Sequence, residues 1–207
     1  MAGKNPLSGD RPKPSPRRGV TASVWRQVCA LTLAAAGWKL EGDWPDAPKA
    51  VLVAAPHTSN WDGLWMLAAA GFYRAKLRWM GKQSLVDNPL GWLVRWLGCV
   101  PVDRKAATDM VEQMAEAFAQ SDRLILAVAP EGTRAATDSW KSGFYRIAMG
   151  AEVPLLITIL DYGTRTIRVG GLFQPTGDYE RDLPLIKAYY VGAKGRHASQ
   201  FSVSENP

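Results

Sequence analysis

The chain has 207 residues, 47% of them hydrophobic, which excludes a disordered protein and suffices for one domain with a substantial core. Its formal charge of +6 is uneven: residues 1–20 hold Lys4, Arg11, Lys13, Arg17 and Arg18 against Asp10, so the body keeps about +2, and no nucleic-acid partner is expected. Cys29 and Cys99 are too few for a disulfide framework and lack zinc-ligand spacing, which suits a reducing compartment, and no run of about 20 apolar residues is present to span a bilayer.

Residues 1–20 read as a basic, Pro-rich, solvated tail with an attraction to anionic membrane as the functional alternative. Residues 21–41 follow as an amphipathic N-terminal helix. In it Arg26 and Gln27 take one side, and Trp25, Val28, Leu31 and Trp38 are available to a core or a lipid interface. The stretch "VCALTLAAAG" behind basic residues also has the form of a signal peptide. From residue 50 onward, short β-rich runs alternate with helical patterns. "AVLVAA" (50–55) reads as a buried strand and Trp61 to Tyr73 as a helix. "KLRWM" is a weaker strand, followed by a helix capped by Asn88 with Pro89 in its first turn. "CVPV" is a strand. Residues 109–120 form a helix with Asp109 and Glu112 at capping-box spacing. "RLILAVAP" is a strand, Ser139 the expected cap of the helix "WKSGFYRIAMG", and "VPLLITIL" and "RTIRVGG" are strands joined by a turn. A last helix begins near Asp182 and Pro184. Residues 193–207, with His197, read as a polar C-terminal tail. The expected architecture is a single α/β domain (42–192) whose mostly parallel central sheet is covered by helices.

One of the two histidines, His57, directly follows an apolar strand in "APHTSNWDG". His57 and Asp62 are five positions apart, roughly 140° around a helix, so they would not share a face if both were helical. His57 is therefore expected in the loop before the helix. With Thr58 or Ser59 as cap, the Asp62 carboxylate in the first turn can fold back to one ring nitrogen, fixing the tautomer and leaving the other nitrogen as a base. The same construction recurs. "ILAVAPEGTR" delivers Glu131, Gly132, Thr133 and Arg134 at a strand's C-terminal end, and "CVPVDR" delivers Asp103 and Arg104. Loops at the carboxyl ends of parallel strands converge on one crevice. Arginine binds phosphate through a planar fork, and glycine at 132 permits close backbone approach. No serine or cysteine stands in a G-x-S-x-G context, so the simplest chemistry is general-base activation of a bound hydroxyl.

At these residues the chain resembles the glycerolipid acyltransferases, the family that includes the 1-acylglycerol-3-phosphate (lysophosphatidic acid) acyltransferases. Its H-x4-D motif matches His57 and Asp62, its arginine-bearing loop matches "GCVPVDR", E-G-T-R matches Glu131 to Arg134, and a V-P-apolar strand matches Val153 onward. The resemblance implies O-acyl transfer from acyl-CoA or acyl carrier protein to a lysophospholipid or 1-acylglycerol-3-phosphate, without cofactor or metal. By it, His57 is the base and Asp62 orients it. Arg104, Arg134, Thr133 and Gly132 bind the acceptor phosphate, and Glu131 positions substrate or holds the loop. It also implies a peripheral protein on the cytoplasmic face of a membrane; Trp92 and Trp96 beside Arg95, and Trp25 and Trp38, suit such an interface. A different lipid acceptor, such as a lyso-ornithine-type or large-headgroup lysolipid, and a nonenzymatic membrane- or nucleic-acid-binding protein are the rival expectations.

Overall fold

The computed structural model describes residues 20–102, 107–135, 137, 139–201 and 203. Residues 1–19 of the expected tail, and Asp103 and Arg104, lie outside the described residues. In chain order the elements are α1 (Val20–Ala35), β1 (Lys39–Glu41), β2 (Lys49–Ala55), α2 (Asn60–Phe72), β3 (Leu77–Lys82), α3 (Gly91–Trp96) and β4 (Cys99–Val102). These are followed by α4 (Ala107–Ala119), β5 (Leu124–Val128), α5 (Gly143–Gly150), β6 (Leu155–Asp161), β7 (Thr166–Phe173) and α6 (Tyr179–Ala188). The strands form one seven-stranded sheet in the order β1-β7-β6-β2-β5-β3-β4. Every neighbouring pair is parallel except β6 and β7, which are antiparallel, so the expected α/β domain with a mostly parallel sheet is the one observed.

The centre of this sheet follows from its composition. Ala50 to Val53 are wholly buried, because strands covered on both faces must be apolar at every position and not only at alternate ones. Val51 and Val53 point to one side, where Met114 and Phe118 of α4, Phe144 and Ile147 of α5, and Ile186 of α6 fill the larger core. Ala50 and Leu52 point to the other, against Met66, Ala70 and Tyr73 at the α2 end. A smaller cluster joins Leu33 of α1 to Ala68 and Ala69 of α2 and to Trp38, Leu160 and Ile167.

Several expectations are corrected. The N-terminal helix does not run over 21–41: it stops at Ala35, Gly37 takes the left-handed conformation at φ +74, and 39–41 pair with β7 as an edge strand. Arg26 does not share an outer side with Gln27, and the apolar residues expected at a core or an interface divide between the two. Cys29 and Leu33 are buried against the domain, and Arg26 lies over the Phe72 ring, while Trp25, Val28 and Leu31 face outward; only Trp38, beyond the helix, enters the core. Ser139 does not cap α5. Trp140 turns into the core and the Lys141 amide donates to the Pro130 carbonyl, which ties this segment to the preceding loop and delays the helix to Gly143. Asn88 is not a helix cap either; it closes a turn by accepting from the Leu90 amide, and α3 opens at Gly91. The last helix starts before Asp182, with Asp178 accepting from the Arg181 amide as its cap. Asp182 is instead wholly buried and takes hydrogen bonds from Thr176 and Tyr145. The C-terminal segment packs back on the domain: Phe201 is buried in the larger core, and the Lys194 carbonyl accepts from the Tyr162 amide.

Candidate active site

Strands β6, β2 and β5 are adjacent and parallel, so the loops leaving their C-terminal ends share one edge of the sheet. The loop after β2 carries His57. Ser59 is the N-cap of α2 and its side chain accepts from the Trp61 amide, which leaves His57 before the helix and Asp62 in its first turn. Asp62 folds back as the third-position carboxylate of a capping box. Its Oδ2 accepts from the amides of Thr58 and Ser59, each at 2.7 Å, and lies 3.3 Å from His57 Nδ1. The Asp62 side chain is 2% exposed and that of His57 is 32% exposed, so the acid is sequestered while the imidazole meets solvent.

The other carboxylate oxygen has a partner that sequence reasoning missed: Tyr162, just beyond β6, donates its hydroxyl to Asp62 Oδ1 at 2.6 Å. Burial by itself would raise the Asp62 pKa. The hydrogen bonds from His57, Tyr162 and the Ser59 amide outweigh it, and the carboxyl is held below the usual aspartate range. Tyr162 shifts the opposite way: burial, and then the negative charge of Asp62, push its phenol well above the ordinary tyrosine value.

The loop after β5 supplies the E-G-T-R residues. Glu131 is 3% exposed, and its Oε1 accepts from the His57 amide at 2.9 Å, a bond between the two strand-end loops. Its Oε2 is buried with no hydrogen-bond partner among the described residues, and burial raises its pKa despite the His57 amide. Gly132 has φ +63, and a side chain there would strike Lys141, whose Cδ would be 2.8 Å from the added carbon. The Thr133 hydroxyl accepts from the Ala135 amide at 3.1 Å. Arg134 is exposed, and its Nη1 donates to Asn60 Oδ1, tying this loop to the first turn of α2. Next to this contact is an open cleft of about 420 Å³, lined by Ser59, Asn60 and Arg134 and closed on another side by His197 and Gln200. His197, expected in a free tail, reaches this position because its amide donates to Thr58 Oγ1 at 3.3 Å.

Of the predicted site residues, His57, Asp62, Glu131, Gly132, Thr133 and Arg134 converge at this edge, and Arg104 lies outside the described residues. Among the described residues no group of three or more His, Cys, Asp or Glu side chains is placed to hold a metal ion. Tyr162 was open to inference, since it follows "LLITILD" at the same strand-end position as His57 and Glu131. The C-terminal segment carried no comparable signal.

A covered, mostly parallel sheet that gathers a carboxylate-held histidine and an arginine-bearing loop at its C-terminal edge defines an α/β protein with a strand-end crevice. The same fold is found in the 1-acyl-sn-glycerophosphate (LPA) acyltransferase PlsC from Thermotoga maritima, whose crystal structure matches with a TM-score of 0.57 at 18% identity, over 81% of this chain and 76% of that one. Residues 42–159 match the family model described as Acyltransferase, and the chain belongs to that family. It is also similar to two proteins named as probable 1-acyl-sn-glycerol-3-phosphate acyltransferases. The one from Mycoplasma pneumoniae is 36% identical over 118 residues, 52% of this chain and 43% of the relative. The one from Mycoplasma genitalium is 35% identical over 118 residues, 52% of this chain and 42% of the relative. This chain thus spans less than half the length of those relatives.

Proposed function

We propose that the protein is an O-acyltransferase that moves a fatty acyl group from an acyl thioester, on coenzyme A or acyl carrier protein, to the hydroxyl of 1-acylglycerol-3-phosphate or a related lysophospholipid. The observation that carries this reading is the pairing of His57 Nδ1 with a sequestered Asp62 carboxylate at 3.3 Å. With Nδ1 turned to the aspartate, Nε2 is left as the acceptor of a proton. As the acceptor hydroxyl attacks the thioester carbonyl, its proton passes to Nε2. When the tetrahedral intermediate collapses, the C–S bond breaks and the imidazolium returns the proton to the departing thiolate, so the enzyme ends unchanged. Asp62 stabilises the imidazolium in between. Arg134, with Arg104, serves the acceptor's phosphate through charge-assisted hydrogen bonds, and Gly132 lets that loop turn closely beside Lys141. Glu131 holds the His57 loop through the backbone amide. The names of the Mycoplasma relatives support the choice of acceptor.

The substrate's insolubility fits docking at the cytoplasmic face of a membrane, with the protein peripheral to it. No helix of the described residues is long and apolar enough to cross a bilayer. Yet Trp25 and Leu31 of α1, and Trp92 and Trp96 of α3, are exposed, and Trp25 meets Trp96 edge to face with centroids 6.2 Å apart, joining the two helices into one aromatic surface. The test of function is lipid analysis after incubating purified protein with acyl-CoA or acyl carrier protein thioesters and a panel of lysolipids. Phosphatidic acid from 1-acylglycerol-3-phosphate is the expected product, and folded His57→Ala is expected to lose it by about 10²- to 10⁴-fold. Turnover by His57→Ala close to the unsubstituted rate would remove the base from the mechanism.

A further inference from the structure

Asp62 is bound on both oxygens, and the two sets of partners differ in kind. Oδ2 faces His57 and takes the amides of its own loop, whereas among the described residues Oδ1 takes one bond, the 2.6 Å donation from Tyr162. Tyr162 reaches it from a separate strand and is itself anchored. Its amide donates to the Lys194 carbonyl at 2.8 Å, the Lys194 amide donates to Asp161 Oδ1 at 3.0 Å, and its ring lies edge-on to Trp38 with centroids 4.9 Å apart. We propose that Tyr162 is a positioning residue for the base: by donating to the Asp62 oxygen that His57 does not face, its phenol fixes the carboxylate's rotation and sets how strongly that carboxylate holds the imidazolium.

The proposal rests on the reading of His57 as general base, and its sign follows from elementary electrostatics. A hydrogen bond donated to a carboxylate draws off part of its charge and makes it a weaker partner for a cation on its other oxygen. Removing the phenol therefore strengthens the hold of Asp62 on a charged His57, so the imidazole stays protonated to higher pH. A base that is already protonated cannot accept the hydroxyl's proton. Among the described residues, Asp161 and Lys194 flank the Tyr162 backbone, and other charged groups lie near these bonds. Glu131, from the loop after β5, bonds the His57 amide; Arg196, over the Trp61 ring at 5.3 Å, favours the ionised phenol; Arg134 is engaged with Asn60. None of them bonds Asp62 Oδ1.

The experiment uses the full chain and two readouts. The protein has two histidines, so imidazole carbon-bound protons give two resolvable NMR titrations, assigned with His197→Gln. In Tyr162→Phe the His57 midpoint is expected to rise by roughly half a pH unit, while His197 stays in place. The acid limb of the kcat/KM profile should move up by the same amount, with the KM for the acyl thioester unchanged. A tyrosine that only packs would lower Tm and leave the His57 midpoint where it was, and that result overturns the proposal. If the His57 midpoint rises but the acid limb does not follow, the coupling stands and it is the reading of His57 as base that falls. Should Tyr162→Phe not fold, site-specific 3-fluorotyrosine at 162 keeps the ring and makes the phenol a stronger donor. The His57 midpoint is then expected to fall, and an unmoved or rising midpoint overturns the proposal.

Discussion

Asp62 and Arg134 do opposite things with charge. The Asp62 carboxylate is withdrawn from water and saturated with donors, so its folded-state pKa is depressed. A depressed carboxyl favours the folded state at every pH above its unfolded value of about 3.9, and that contribution disappears as acid carries the pH down through the folded-state value. Asp62→Asn is therefore expected to lower Tm at pH 7, with the deficit shrinking as the pH is taken down through the depressed folded-state value, as followed by thermal melts on the acid side. A deficit that does not change with pH would mean that shape, and not charge, is what the fold requires there. Arg134 is exposed, and under the proposed function its guanidinium serves the acceptor's phosphate. A guanidinium–phosphate bond contributes roughly 1.5–3 kcal/mol, so Arg134→Ala should raise the KM for a phosphorylated acceptor about 10- to 100-fold with much less change for the acyl donor. Lysine should restore only part of this because it lacks the fork. Equal harm toward monoacylglycerol and its phosphate would show that Arg134 acts through Asn60 and the loop.

At the scale of elements, α1 and α3 invert the ordinary placement of large apolar side chains: each packs its smaller or longer-stemmed residues inward and turns tryptophan out. Trp92 and Trp96 are each 68% exposed and lie one helical turn apart. Replacing both with serine, or Trp25 with serine, should reduce cosedimentation with anionic liposomes several-fold while leaving the far-UV spectrum unchanged. Unchanged sedimentation would assign this surface to some other partner. The orientation of α1 was hard to read because Arg26 and Gln27, adjacent in the sequence, differ in exposure, and Trp25, Val28 and Leu31 suit a core as well as an interface. The strands were far more legible: a strand buried on both faces writes itself as a nearly continuous apolar run, as in β2, β5 and β6, where Thr158 interrupts the last. The three-residue β1 was not, since it exists only through its pairing with β7. The same division holds at the site. His57, Asp62 and Glu131 to Arg134 were readable because strand, proline and polar loop stand consecutively in the chain. Tyr162 could be read as a strand-end residue, but its partner could not, because the bond to Asp62 depends on β6 lying beside β2, which sequence order does not display.

For the whole molecule, residues 194–201 are part of the architecture. Removing residues from 194 onward takes away the Phe201 core contact, the anchor of the Tyr162 amide and the bond to Thr58. Such a truncation is expected to lower Tm by several degrees and activity by at least tenfold, measured by calorimetry and product formation; full activity would show the segment to be dispensable. The strand order carries a different consequence. β2 is flanked by β5 and β6, both far downstream, so it has no neighbour until most of the chain exists. Pairings so distant in sequence must meet the cost of loop closure before any contact rewards it, which makes such sheets slow to assemble. During synthesis the buried apolar centre of β2 therefore emerges long before either of its partners, with both of its edges open to any other chain nearby. What protects the nascent protein over that interval is a matter of timing and not of final stability.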